Sequence, residues 1–250
     1  MFYFLMMPYM AYRWILILAA LVPAVFLMIK VYRSDRLESE SGPMLRSLVL
    51  AGILATLAAM VLERIGEGIL GAVASESSTT YQVILYFVIV AFAEEGTKYA
   101  ALRIRTWKSP EFDCQYDGVV YAVFVSLGFA LWENISYVLH FGFSTALVRA
   151  VTAIPGHACF GVFMGIFYGL AKGYQVMNDR SKSKLCLVLS VVVPALIHGT
   201  YDYIATSQTS GEWGFILFIA VLFAVSYYLV NKMAKNDRYF ESRRSYRRSR

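Results

Sequence analysis

Apolar runs about 20 residues long, separated by short polar stretches, recur along the whole chain. That is the length a helix needs to cross about 30 Å of hydrocarbon. The pattern predicts an all-α bundle of about seven spans, at residues 14–31, 44–62, 81–102, 117–139, 146–171, 185–206 and 213–232. The leading stretch MFYFLMMPYMAY is apolar and aromatic, lacks a basic start, and is followed by no convincing small-residue cleavage site. It therefore reads as an interfacial lead into a retained first span, not as a removed signal. The hydrophilic stretch ERIGEGILGAVASESSTT, residues 63–80, reads as the longest loop on its side, with room for a short interfacial helix.

Composition sharpens this. Of 250 residues, 58% are hydrophobic and 16% charged, and the mean hydropathy is +0.55. The spans consume the chain, so residues 1–250 form one integral-membrane unit with no separate soluble domain. The net charge of +6 is unevenly placed: segments 30–46, 103–110, 172–184 and 232–250 hold 19 of the 23 Lys and Arg. Basic loops accumulate on the cytoplasmic side. The expectation is a multi-pass cell-membrane protein with its N-terminus outside, its C-terminus inside and a basic cytoplasmic tail at 233–250. Such a tail suits anionic headgroups, and a nucleic-acid role for it is disfavoured. Cys114, Cys159 and Cys186 show no CxxC or paired spacing and imply neither a disulfide framework nor a zinc site.

The informative positions are those that break the apolar pattern. An ionisable group near the bilayer centre costs about 2.5 to 3.5 kcal/mol on insertion scales and is by default a functional candidate. There are seven: Glu94, Glu95 and Lys98 in the third span, Glu133 in the fourth, His157 in the fifth, and His198 with Asp202 in the sixth. Spans one, two and seven have none in their interiors. At about 100° per residue, Glu94 and Lys98 share a helix face, as do His198 and Asp202, while Glu95 lies about a quarter-turn from Glu94. Four consecutive helices can thus turn polar groups to one cavity. In the fifth span His157, Gly161, Gly165, Gly169 and Gly173 recur every fourth residue. This small-residue stripe is a packing device that brings His157 close to a neighbouring helix, and Pro155 with Gly156 predicts a kink or a late helix start just before it. Four carboxylates against one lysine cannot all stay charged and uncompensated, so some carboxyls are protonated or a cation binds.

Familiar hydrolase signatures are absent: no HExxH, no GxSxG and no ExxH pair. Tyr201-Asp202 lacks the GxGD partner of the aspartyl intramembrane proteases. Thr97, Ser126 and Ser136 are near the polar spans, where a hydroxyl usually bonds its own backbone. What remains, EEGTK at 94–98, DGVVYAVFVSLGFALWENISYV at 117–138, RAVTAIPGHACFGVFMGIFYGLAK at 149–172 and HGTYDY at 198–203, resembles the four signature blocks of the PrsW family of intramembrane glutamic proteases. That family is grouped with the CAAX prenyl proteases and Abi proteins. The blocks cover over a third of the chain in the expected order, spans three to six.

The resemblance implies a glutamic-type peptidase with a four-helix catalytic core. By it, Glu94 is the base that activates water, Glu95 its partner, and Lys98 the group that fixes their ionisation. Glu133, standing where the prenyl proteases have a histidine, helps hold the water, with Asn134 beside it. His198 matches an oxyanion-supporting position, Asp202 orients His198, and His157 belongs to a block characteristic of the family. The implied activity is an intramembrane endopeptidase, acting on a membrane-protein substrate such as a single-pass anti-sigma factor in a stress response. No cofactor is expected. The same Glu/His/Asp cluster leaves open a metal-dependent hydrolase, and intramembrane ionisable groups leave open a proton- or cation-coupled transporter, against which stands the lack of an internal repeat. Glu133, His198 and Asp202 lie toward the outer ends of their spans, so substrate access is expected from the outer leaflet.

Overall fold

The computed structural model describes residues 2–37, 39–206 and 211–240, with backbone alone for 2–10. Residues 241–250, which include most of the basic tail's arginines and so the expected lipid-headgroup contact, lie outside the described residues. The described chain is helical throughout: α1 (Phe2–Tyr32), α2 (Gly42–Val73), α3 (Thr79–Val83), a π-helical segment (Ile84–Val90), α4 (Ala91–Thr106), α5 (Asp117–Phe141), α6 (Phe143–Val151), α7 (Ala153–Val176), α8 (Arg180–Thr206) and α9 (Gly211–Lys235). The expected all-α polytopic bundle is present. The lead before the first span is helix continuous with that span.

Among the described residues, six stretches are long and apolar enough to cross a membrane: Ala11–Tyr32, Gly42–Val73, Asp117–Phe141, Phe143–Val176, Arg180–Thr206 and Gly211–Lys235. The third expected span, 81–102, is not among these and corresponds to α3, the π segment and α4. It is helical over residues 79–106 and packs on α2 and α8. It falls short on hydropathy because it carries Glu94, Glu95, Lys98, Arg103 and Arg105. The expected loop at 63–80 is a correction: α2 runs on to Val73, and only residues 74–78 connect it to α3. Losing apolar character at Glu63, Arg64 and Glu67 does not end a helix whose backbone is already hydrogen-bonded; Ala74 still donates its N–H to the Leu70 carbonyl.

At the centre stands α5. Every residue from Asp117 to Leu131 is buried, as expected of a helix apolar on all sides. The glycine stripe of α7 packs against it. A Cβ on Gly165 would overlap the Gly118 carbonyl oxygen, and one on Gly169 the Gln115 carbonyl oxygen, so the two backbones are in contact. Gly52 of α2 and Gly128 of α5 make a similar crossing, each against the other helix's backbone. The predicted late helix start is also present, since the fifth span divides at Thr152 and α7 begins at Ala153 with Pro155 in its first turn. Around this centre α1 and α9 turn Leu18, Val22, Phe26, Leu217 and Val221 outward as a lipid-facing surface.

The turns sort to two ends. One holds the 33–41, 107–116 and 177–179 connections and the segment after α9; the other holds the connections after α2, α5 and α8. The basic segments gather at the first end.

Candidate active site

The π segment and α4 deliver the first group. Ala91 donates its N–H to Tyr86, one residue further back than α-helical bonding, and EEGTK follows within a turn. Lys98 is fully buried. Its ammonium lies 3.0 Å from Glu94 Oε2, 2.8 Å from Glu95 Oε1 and 3.1 Å from His157 Nδ1, and 4.0 Å from the centre of the Phe129 ring. An ammonium has three donors and no acceptor. His157 Nδ1 must therefore accept, which leaves Nε2 carrying the proton and donating to Glu133 Oε2 at 2.7 Å. The glycine stripe allows this contact between α7 and α5, and one neutral imidazole links Lys98 to Glu133.

Glu133 is held from its other side. Arg149 Nη2 is 3.0 Å from Glu133 Oε1, Arg149 Nε donates to Asn134 Oδ1 at 2.9 Å, and the guanidinium rests 3.9 Å from the centre of the Tyr137 ring. Asn134, next to Glu133 in the chain, is fully buried and accepts the Arg149 Nε hydrogen bond, which orients Arg149. Arg149 falls inside the fifth expected span, 146–171, yet is not among the site residues that the sequence singles out. The available signal was its place at the head of the RAVTAIPGH block and on the side nearly devoid of basic residues.

His198 completes the centre from α8, one turn after Pro194. Its Nδ1 is 3.0 Å from Glu95 Oε1 and its Nε2 is 3.4 Å from Asp202 Oδ2. The ring stacks on Phe160 at 4.6 Å between centroids, and Gly199 lets α8 press against Phe87 of the π segment. Both His198 nitrogens face carboxylates, the Asp202 contact being the longer of the two.

These groups border a cavity of about 560 Å³. Glu94, Glu133, His157, His198, Asp202 and Arg149 line it, whereas Glu95 and Lys98 lie behind the wall, with no side-chain exposure. The cavity extends toward Glu67, Ser136 and Thr206, at the end opposite the basic segments. Two of its acidic residues, Glu63 and Glu67, come from the α2 extension that was read as loop. Their i,i+4 spacing was the signal for a continued helix face. Two of the three hydroxyls bond their own backbone, Thr97 to the Glu94 carbonyl and Ser136 to the Trp132 carbonyl, whereas Ser126 Oγ is buried without a hydrogen-bond partner.

The residues also suit a metal by type. Glu94, Glu95 and His198 each offer an atom within 4.8 Å of the other two, and Glu95 Oε2 is buried without a hydrogen-bond partner. Two carboxylates and an imidazole match the donors a zinc-type ion takes. Lys98 competes with such an ion, since its ammonium already bridges Glu94 and Glu95.

The family described as PrsW family intramembrane metalloprotease matches residues 40–230. The chain is 33% identical to Protease PrsW of Geobacillus kaustophilus over 209 residues, 83% of this chain and 86% of that protein. It is 32% identical to Protease PrsW of Bacillus subtilis over 207 residues, 83% and 90% of the two chains. Protease PrsW of Clostridioides difficile is 31% identical over 161 residues, 62% and 66%. No solved structure matches the chain.

Proposed function

The chain belongs to the PrsW family of intramembrane proteases, and we propose that it cleaves a membrane-protein substrate with water activated by Glu94. The observation that carries this reading is the division of labour within the carboxylate pair. Glu94 borders the cavity, Glu95 is sealed behind it, and one buried ammonium joins both. Lys98 places its ammonium 3.0 Å from the Glu94 carboxyl, and a general base must stand within reach of the water it activates, as Glu94 does at the cavity wall. Glu133, clamped by Arg149 and His157, holds the other side of the water. The water oxygen bonds to the scissile carbonyl carbon while Glu94 takes its proton, and that proton passes to the departing amine as the C–N bond breaks.

His198 is the donor best placed for the developing oxyanion. Its Nε2 contact with Asp202 is long at 3.4 Å, so a short shift gives a better-aligned bond to a carbonyl oxygen that becomes charged. Glu94→Gln is expected to lower cleavage of a membrane-anchored substrate by at least about a hundredfold, in the range general-base catalysis contributes, with the thermal melt preserved. Cleavage at the wild-type rate by a folded Glu94→Gln protein removes Glu94 from the mechanism.

The metal-dependent reading is favoured by the Glu94, Glu95 and His198 donor set and by the family's description as metalloprotease. A metal held there would lower the pKa of bound water and polarise the scissile carbonyl. Chelation followed by metal analysis separates the two: the Glu94–Lys98 reading expects activity to survive removal of all bound zinc, manganese and iron.

A cavity leading away from the basic segments supports the N-outside, C-inside orientation with entry from the outer leaflet. The proposed substrate is a single-pass membrane protein of the anti-sigma type, and the tail beyond residue 240 is proposed to rest on anionic lipid. Proteomics of membrane proteins in cells carrying wild-type or Glu94→Gln protein identifies the substrate.

A further inference from the structure

A second cluster of carboxylates lies at the opposite end of the bundle, and the proposed peptidase mechanism makes no use of it. It forms where the α1–α2 connection meets the start of α5. Asp35, Glu40 and Asp117 each present an oxygen within 4.8 Å of the other two. Asp117 is fully buried and Glu40 only 6% exposed. Half of the Asp117 and of the Glu40 carboxylate is satisfied: Asp117 Oδ2 accepts the N–H groups of Asp113 and Cys114 at 3.1 and 2.7 Å, and Glu40 Oε2 accepts the Tyr121 hydroxyl at 2.6 Å. The other half is not. Asp117 Oδ1 and Glu40 Oε1 are both buried and have no hydrogen-bond partner. Among the described residues no Lys or Arg forms an ion pair with either. Asp113 and Asp237 add further buried carboxylate oxygens nearby, Asp113 Oδ1 and Asp237 Oδ2, and Asp237 is anchored by the Tyr116 N–H at 2.8 Å.

Burying unpaired carboxylate oxygens against one another is costly, and the usual remedies are a shared proton or a cation. Three carboxylates offering oxygen, with no histidine among them, are the donor set of a hard divalent ion. We propose that Asp35, Glu40 and Asp117 bind a divalent cation of the calcium or magnesium class, separate from the peptidase centre. The ion would tie the α1–α2 connection to the N-terminus of α5, the helix that carries Glu133.

The test uses the full chain, chelator-stripped and reconstituted in nanodiscs of neutral lipid, with Mn²⁺ as the probe. The loss of free Mn²⁺ signal in electron paramagnetic resonance is followed against a potassium chloride control, and Ca²⁺ and Mg²⁺ are then added as competitors. One saturable site is expected in the wild type and retained in Glu94→Gln, which sets it apart from the Glu94–His198 cluster. Asp117→Asn and Glu40→Gln should each weaken it at least tenfold. If Asp117→Asn does not fold, Glu40→Gln and Asp35→Asn decide the matter alone. No saturable binding in the wild type, or wild-type affinity in the folded variants, overturns the proposal and leaves a proton shared between Asp117 and Glu40. Whichever of Ca²⁺ and Mg²⁺ displaces Mn²⁺ at the lower concentration identifies the ion.

Discussion

Arg149 shows what a single residue gains from its neighbours. Its three interactions use different parts of one planar group: Nη2 for Glu133, Nε for Asn134 and the face for Tyr137. A lysine has neither the fork nor the plane. Arg149→Lys is therefore expected to retain less than about a tenth of wild-type cleavage, consistent with loss of about 1.5 to 3 kcal/mol from charged hydrogen bonds, while the melt changes little. A wild-type rate in Arg149→Lys would sink the idea that the guanidinium positions Glu133. Lys98 lies deeper, and removing it strands charge: Lys98→Met leaves Glu95 buried beside an apolar group, with an expected destabilisation of about 3 to 5 kcal/mol, read from the unfolding midpoint. The seven intramembrane groups were legible in the sequence because lipid makes any charge conspicuous. Arg149 was not, because a basic residue near the end of a span is ordinarily a topology signal. Only the docking of α6 beside α5 turns it into a counter-charge, so the centre has two built-in cations where the sequence showed one.

At the level of elements, the stripe on α7 was readable because glycines at every fourth position have no other simple explanation in an apolar helix. Its partner was not readable, since α5 answers with Gly118, the small Ser126 and otherwise backbone, at no regular spacing. Gly165→Ala should destabilise the protein by about 1 to 3 kcal/mol through overpacking, and should lower activity by loosening the His157–Glu133 contact. Gly68→Ala on α2, where a new Cβ meets nothing within 4 Å, should be neutral or stabilising by up to about 1 kcal/mol. Equal melts for the two variants would show that the α5–α7 contact is not close. The far end of α2 was misjudged for a physical reason. Hydropathy reports exit from lipid, and Glu63 and Glu67 turn toward a polar cavity while their helix continues.

For the molecule as a whole, the basic segments collect at one end and the cavity points to the other. Cysteine introduced at Glu67 or Thr206 should therefore react with a membrane-impermeant thiol reagent added outside intact cells. Cysteine at Ser109, in the 107–116 connection, should react only after permeabilisation. The three native cysteines are buried and free, so background labelling should be low; the opposite labelling pattern would invert the proposed orientation. The bundle class and the four-helix core were visible from apolar run lengths and polar placement. The number of strongly apolar spans was not, because the helix bearing EEGTK gives up hydropathy to chemistry.

The π segment at Ile84–Val90 has a consequence for how such chains can change length. A π turn accommodates one residue more than an α-helix would use over the same rise. Deleting a single residue there would let the helix close into ordinary α geometry over nearly the same rise and rotation, so Glu94 would keep its place on the cavity wall. Deleting one residue from an ordinary α-helical turn would instead rotate everything downstream by about 100°. The π segment is therefore the place in this helix where the count of residues can change without moving the active-site carboxylates.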